Sequence, residues 1–171
     1  AGTETHGEAP EGAAWTRFSV VSPARSAQQQ RDARSGVSQL SDVDLSELGL
    51  KRRLTSSQHR DLSRLSSMSS GANFSVPGAG KTTVTLTLWA LLRARSKVNK
   101  LFVVAPKSAF EAWADVEPGA VFDNAPVSSV FSGGVISTKV EILVCNYEQL
   151  ESDDRVRRFK DWILRNDAMV V

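Results

Sequence analysis

Residues 75–83 have the residue types and the spacing from which a chemical role can be inferred for this chain. They read Ser-Val-Pro-Gly-Ala-Gly-Lys-Thr-Thr and lie between a short apolar run and a long apolar-periodic segment. A strand that ends in a glycine-rich turn and opens a helix leaves several backbone N–H groups pointing at one spot. The helix dipole adds attraction for anions there. The stretch therefore predicts a phosphate-binding loop (P-loop, Walker A) for a nucleotide; the alternative is a chance glycine turn before a helix.

Each residue of this loop has an expected role. Gly78 and Gly80 tolerate the backbone angles of the turn and let the main chain approach phosphate. Lys81 is expected to reach the β- and γ-phosphates of ATP and the Thr82 hydroxyl to ligate Mg²⁺, which makes these two the candidate catalytic residues. The common pattern is G-x-x-x-x-G-K-[ST], and Ser75 occupies the position of its first glycine. The sequence therefore departs from the strict pattern at one residue. The expected nucleotide-binding residues of the loop are Pro77, Gly78, Ala79, Gly80, Lys81, Thr82 and Thr83.

The elements around the loop follow from capping and periodicity. Thr55-Ser-Ser-Gln58 has the form of a capping box, in which the Thr55 hydroxyl and the Gln58 side chain satisfy each other's neighbouring backbone N–H groups. A helix is expected from there to about residue 69. An apolar strand is expected at 72–76, and a largely apolar helix at 83–95.

Further along, apolar runs alternate with amphipathic helices. Strands are expected at 101–105, 127–131, 142–145 and 168–171, and helices from Ser108 to about Val116 and from Asp153 or Asp154 onward. No hairpin signal separates the strands, so the pattern predicts crossover units. The expected fold class is α/β, with a mainly parallel sheet flanked by helices.

Length and composition set the outer bounds. The chain has 171 residues, of which 41% are hydrophobic, enough for one domain with a sizeable core. Residues 1–38 are rich in Gly, Ala, Ser, Gln and Arg and are expected to be a poorly ordered arm or the remnant of an upstream domain. The net charge of +2 is too small to argue for nucleic acid by itself. The apolar runs are too short for a membrane span, so no membrane partner is expected. A lone cysteine suits the reducing cytoplasm, which is the expected location.

Four segments resemble, in order, the motifs of SWI/SNF-type ATP-dependent DNA translocases of helicase superfamily 2. Leu54-(x)3-Gln58 is similar to the motif whose glutamine recognises adenine, and 77–82 resembles motif I. Residues 103–113 are similar to motif Ia, and 142–150 resemble the block in which a strand runs into Tyr-Glu-x-Leu. The resemblance covers about residues 50–171 and points to a bacterial relative.

This resemblance implies that 39–171 form a truncated helicase ATP-binding domain, the N-terminal part of the first of two RecA-like lobes. It implies ATP and Mg²⁺ as cofactors, an adenine contact for Gln58, and nucleic acid, duplex DNA in the first place, as partner. Pro106, Lys107 and Ser108 lie where a strand meets a helix start and are the expected nucleic-acid contacts; the alternative is an ordinary helix entry. The parent protein is expected to be an ATP hydrolase.

The family's Asp-Glu-x-His motif would follow Val171, and the second lobe is missing. The fragment alone is therefore expected to be inactive in hydrolysis. Two other classes stay open: a P-loop kinase of a small molecule, and a non-catalytic adaptor. Trp113 and Cys145 are expected in the core, and the basic residues of 155–165 on the solvent face of a helix.

Overall fold

The computed structural model describes Leu45 and residues 47–171. The described residues all belong to one unit of the chain, Gly36–Val171. The expected arm at 1–38 lies outside the described residues, so its order and the domain boundary stay predictions. Among the described residues, no helix combines the length and apolar character needed to cross a membrane.

The described part of the chain alternates helices and short strands. The α-helices are α1 (Ser56–Ser66), α2 (Lys81–Ala94), α3 (Glu117–Val121) and α4 (Asp153–Arg165). The strands are β1 (Lys100–Val104), β2 (Ser128–Val130), β3 (Ile142–Cys145) and β4 (Ala168–Val170). Two 3₁₀ helices, Lys107–Ala109 and Tyr147–Glu151, and a π-helix, Ala112–Val116, complete the order.

All four strands form one parallel sheet in the order β2-β3-β1-β4. In the central pair, Leu101 lies opposite Ile142 and Val104 opposite Cys145. Parallel neighbours need crossover connections. The segment around α3 lies between β1 and β2, and α4 lies between β3 and β4, whereas residues 131–141 join β2 to β3 without a helix. The expected α/β class with a mainly parallel sheet and flanking helices is confirmed.

Alternation along β1 and β3 divides the core between the two faces of the sheet. One face packs against α2 and α3 and contains Leu86, Trp89, Leu101, Val103, Val121, Phe122, Ile142 and Val144. The other packs against α4 and contains Phe102, Phe131, Val140, Leu143, Cys145, Phe159 and Trp162. A third cluster, Leu45, Leu62, Val84 and Leu88, joins α1 to α2. Trp113 packs at the edge of the first cluster, as expected.

The strand predicted at 72–76 is wrong, because this segment is irregular. Its apolar side chains find no cover: Phe74 is 93% and Val76 72% exposed. The Ser75 N–H donates to the side-chain Oδ1 of Asn73 at 2.9 Å, so a local polar side chain takes the donor that a strand ladder would need.

The helix predicted from Ser108 to Val116 is also only partly right. It begins as a 3₁₀ turn without a side-chain cap and continues as a π-helix before α3. Pro118, in the first turn of α3, has no N–H to donate to the carbonyl four residues earlier. The widened turn just before it accommodates that missing bond, with Glu117 N–H donating to Ala112 O.

Candidate phosphate-binding site

The loop before α2 has the backbone of a cradle built on glycine. Gly78 and Gly80 have φ of 81° and 79°, in the left-handed region that side chains disfavour. Gly80 is the residue before α2, which starts at Lys81 without a side-chain cap. The helix therefore begins directly from the turn, and its first N–H groups face the loop.

Several backbone donors of this turn are unpaired within the described part of the chain. The first intrahelical bond runs from Val84 N–H to Gly80 O at 3.0 Å. The earlier N–H groups, those of Gly78, Gly80 and residues 81–83, have no acceptor among the described residues. Unpaired N–H groups at the positive end of a 14-residue helix form a site for an anion.

The loop lies at the edge of the sheet where the strands end. A short turn at 95–99 joins α2 to β1, and Leu86 and Trp89 of α2 pack against Leu101 and Val103 of β1. The helix must therefore run opposite to the strand, with its N-terminus beside the carboxyl ends of the strands. Open α/β sheets bind their ligands at this edge.

The Lys81 ammonium folds back over the loop. Its Nζ donates to the carbonyl oxygens of Ser75 at 2.8 Å and Val76 at 3.2 Å. Both acceptors are neutral carbonyls, and no carboxylate among the described residues forms an ion pair with Lys81. A phosphate in the cradle offers Lys81 a stronger, charge-assisted partner.

The threonines after Lys81 have distinct surroundings. Thr82 is half-buried, and its hydroxyl has no partner among the described residues. Thr83 is 5% exposed, and its Oγ1 accepts a hydrogen bond from Arg52 Nη2 at 3.1 Å. The hydroxyl that the sequence assigned to Mg²⁺ is thus the one without a protein partner.

Gln58 contacts the loop directly. Its Oε1 accepts from Thr55 N–H at 2.9 Å and its main-chain N–H donates to Thr55 Oγ1 at 3.3 Å, so the capping box is confirmed. Its Nε2 donates to Ala79 O at 3.2 Å. A Cβ on Gly80 would collide with that amide nitrogen. Gln58 therefore ties the start of α1 to the loop, a contact that the capping box alone does not require.

Ser75, in the position of the missing first glycine, is a hydrogen-bonding centre. Its hydroxyl lies 2.7 Å from Asp61 Oδ2 and 2.6 Å from Asn73 Oδ1, and its carbonyl receives Lys81. Sequence reasoning missed Asp61. The signal was there, because Gln58 and Asp61 are three residues apart and lie on one face of α1.

The three residues assigned to nucleic acid, Pro106, Lys107 and Ser108, are all exposed and follow β1 at the same edge of the sheet. Lys107 Nζ is 2.6 Å from Glu148 Oε2, and this hydrogen bond lowers the pKa of Glu148. The cation is thus paired within the protein. Ser108 lies in a three-residue 3₁₀ helix, too short to supply a dipole comparable to that of α2.

A cleft of about 760 Å³ opens beside the start of α1. It is lined by Leu45, Leu50, Lys51, Arg52, Arg53, Leu54, Ser56 and His59. The lining contains three basic side chains and no carboxylate. Sequence reasoning did not mark these basic residues as part of a site.

Metal-ligating and nucleophilic groups elsewhere add little. The described residues contain no group of three His, Cys, Asp or Glu side chains that could hold a metal ion. Burial raises the pKa of the Cys145 thiol to about 11, so it stays neutral at pH 7. Cys145 is the small buried hydrophobe expected from its strand.

Comparison with known proteins gives one short similarity. A stretch of 37 residues, 22% of the chain, is 76% identical to the carboxysome assembly protein CsoS2 of Parasynechococcus marenigrum (strain WH8102). The stretch spans about 5% of that protein's length. No family model matches the chain, and no solved structure matches it.

These findings correct the family assignment made from the motifs. A chain that carried the ATP-binding domain of a SWI/SNF-type translocase over about 120 residues would match a helicase family model, and none matches. The 37-residue similarity is to a protein of another kind. The assignment rested on short segments, each of which has a local structural explanation as a cap, a turn or a strand end.

Proposed function

We propose that this chain binds a nucleoside triphosphate, ATP with Mg²⁺, at the loop 77–83. The single observation that carries the proposal is the set of N–H groups at the start of α2 that find no acceptor among residues 47–171, in a turn formed by two glycines with positive φ. Lys81 supplies a cation beside them, and Thr82 supplies a hydroxyl that has no hydrogen-bond partner in the described part of the chain. The proposal does not depend on any family.

The residues fit the proposed ligand in kind. Backbone N–H groups and Lys81 match phosphate oxygens, and a threonine hydroxyl is an oxygen ligand of the sort that Mg²⁺ takes. Bound Mg²⁺ would neutralise charge on the phosphates. The protein's own part is to hold the phosphates by the main chain, while Lys81 leaves the Ser75 and Val76 carbonyls for a phosphate oxygen.

Two finer proposals build on this one. The parallel sheet with a phosphate loop at its carboxyl edge supports a RecA-like arrangement, of which the described strands would be a part. The wider role is ATP-driven work on nucleic acid, with Pro106, Lys107 and Ser108 as contacts and with Gln58 at the adenine. For that role the Lys107–Glu148 pair would have to open, so this part of the proposal has the least support.

The test is a titration of the chain with a fluorescent ATP analogue and Mg²⁺, beside Lys81→Ala. We expect saturable binding by the wild type and at least tenfold weaker binding by the variant, because a charge-assisted contact to phosphate is lost. A matched control, Lys97→Ala, removes a cation near the far end of α2 and should bind like the wild type. Equal binding by all three proteins would refute the proposal.

Hydrolysis is a separate readout. Catalysis of phosphoryl transfer needs a positioned water and charge stabilisation beyond Lys81 and Thr82. We therefore expect no phosphate release above background from the chain alone, with or without duplex DNA. Turnover stimulated by DNA would show that further catalytic residues lie within the chain.

A further inference from the structure

Arg52 links three parts of the molecule through one nitrogen atom. Its Nη2 donates to Thr83 Oγ1 at 3.1 Å and lies 3.2 Å from Glu117 Oε2. Thr83 is the third residue of α2, and its hydroxyl would be 3.7 Å from a Cβ on Gly80. The guanidinium therefore lies against the first turn of the helix that carries the phosphate loop.

The rest of this guanidinium is available to a ligand. Arginine has five N–H donors in a planar fork, and both contacts of Arg52 use Nη2. Within the described part of the chain, Nη1 and Nε have no hydrogen-bond partner. The Arg52 side chain is half exposed and lines the 760 Å³ cleft with Lys51 and Arg53. It is close to the loop through Thr83, whose Oγ1 accepts from Arg52 and lies beside Gly80.

Neighbouring residues fix the backbone that carries Arg52. Lys51 N–H donates to Val121 O at 2.9 Å, and Lys51 Nζ donates to Gly119 O at 2.7 Å. Leu50 forms a bridge with Phe122. The two residues before Arg52 are thus attached to α3 and to the residue that follows it. The Arg52 side chain contacts Glu117, the first residue of α3, and reaches across to α2.

We propose that Arg52 is a further nucleotide-binding residue, whose guanidinium contacts the phosphate chain of the nucleotide while Glu117 competes with that phosphate for it. This inference rests on the proposed function, because it takes the loop 77–83 to hold the phosphates. The ligand class is a nucleoside di- or triphosphate, since the fork of an arginine matches phosphate oxygens in pairs. Glu117 then acts as an internal carboxylate that the phosphate displaces.

A purely structural ion pair makes the opposite prediction for Glu117. If the pair only held α3 to α2, removing either partner would weaken the same contact and shift binding in the same direction. If Glu117 competes with phosphate, Arg52→Gln weakens binding and Glu117→Gln strengthens it. The sign of the Glu117 effect therefore distinguishes the two roles.

The experiment measures the dissociation constant of a fluorescent ATP analogue with Mg²⁺ for the full chain and for Arg52→Gln, Glu117→Gln and the double variant. We expect about tenfold weaker binding for Arg52→Gln, from loss of a charge-assisted hydrogen bond. We expect about threefold tighter binding for Glu117→Gln, because the guanidinium no longer has a competing anion. The double variant should resemble Arg52→Gln, since Glu117 acts only through Arg52.

Competition with unlabelled nucleotides adds a second readout. Arg52→Gln should lose more affinity for ATP and ADP than for AMP, because the contact is to the phosphate chain. Thermal unfolding checks that each variant is folded. If Arg52→Gln does not fold, Arg52→Lys replaces it, because lysine keeps the charge but lacks the planar fork of donors. Arg52→Lys should also bind the nucleotide more weakly than the wild type.

Two outcomes would overturn the inference. Weaker binding by Glu117→Gln than by the wild type would make the pair structural. Wild-type affinity in both single variants, with Lys81→Ala still impaired, would exclude Arg52 while leaving the proposed function intact. A wild-type chain that binds no nucleotide would reject the proposed function and this inference together.

Discussion

At the scale of single residues, the loop shows what spacing can and cannot tell. The glycines, Lys81 and Thr82 could be singled out because the backbone demands of a phosphate cradle restrict residue types at fixed positions. Arg52 could not, because its contact to Thr83 joins segments 31 residues apart. Asp61 shares a face of α1 with Gln58 and could have been considered, but the spacing does not reveal its contact to Ser75, 14 residues away. Gln58 lies between these cases: its cap was predictable, but its bond to Ala79 was not.

The two glycines with positive φ differ in a way that can be measured. Gly80→Ala places a methyl group against the Gln58 amide, whereas Gly78→Ala meets nothing within 4 Å. Both variants carry the backbone cost of a left-handed alanine, about 1–2 kcal/mol. We expect the free energy of unfolding to fall further in Gly80→Ala than in Gly78→Ala, by about 1 kcal/mol, because the Gln58 amide must move and give up its bond to Ala79 O.

Urea denaturation measures both losses, and Gly80→Ala/Gln58→Ala is the matched control. In that double variant the collision is absent, so the stability difference between the two glycine sites should shrink. Equal losses for Gly78→Ala and Gly80→Ala would contradict the contact between Gln58 and the loop.

At the scale of elements, local signals succeeded where the segment supplies its own bonds. The box of Thr55 and Gln58 starts α1, and α4 begins at Asp153 with Phe159 and Trp162 turned inward, as its periodicity indicates. The strand prediction for 72–76 was wrong, because a strand also needs a neighbouring strand to pair with, and the apolar pattern does not show whether one is present. The prediction of a regular helix after β1 was partly wrong, because it did not take into account that Pro118 has no N–H to donate.

The cap of α1 gives a prediction at this scale. Thr55→Ala removes the hydroxyl that accepts from Gln58 N–H and should lower the free energy of unfolding by about 1 kcal/mol. Ser56→Ala, in the next position and exposed, is the control and should change it by less than about 0.5 kcal/mol. Chemical denaturation followed by circular dichroism compares the two; identical curves would rule out a stabilising cap.

At the scale of the whole molecule, the alternation of β1 and β3 divides the core between two helical layers. Fold class was predictable because continuous apolar runs indicate strands covered on both faces. Strand order was not, since nothing local to β4 specifies that it pairs with β1 at the edge of the sheet. The family assignment failed at this scale, because short motifs do not add up to a domain that a family model recognises.

Substitution of Phe159 tests whether α4 packs into the core. Phe159 is 2% exposed, and its ring centroid lies 5.1 Å from that of Phe102 and 4.7 Å from that of Phe131. Phe159→Ala should cost about 3–5 kcal/mol, from lost burial and a cavity. Leu164→Ala, 77% exposed on the same helix, should stay within about 0.5 kcal/mol. A small loss for Phe159→Ala in a urea titration would mean that α4 is not part of the core.

The position of β4 has a consequence for how copies of the chain behave in solution. Among the described strands, β4 pairs with β1 alone, so the backbone groups on its other side face away from this sheet. Val170 and Val171 are about half exposed there, and β4 itself, Ala168–Val170, contains neither a charged residue nor proline. Such an edge strand is a template on which another molecule can add a strand, and β4 lacks the charged residues and prolines that usually prevent edge-to-edge pairing. Concentrating the protein therefore favours strand-to-strand aggregation that starts at this edge strand.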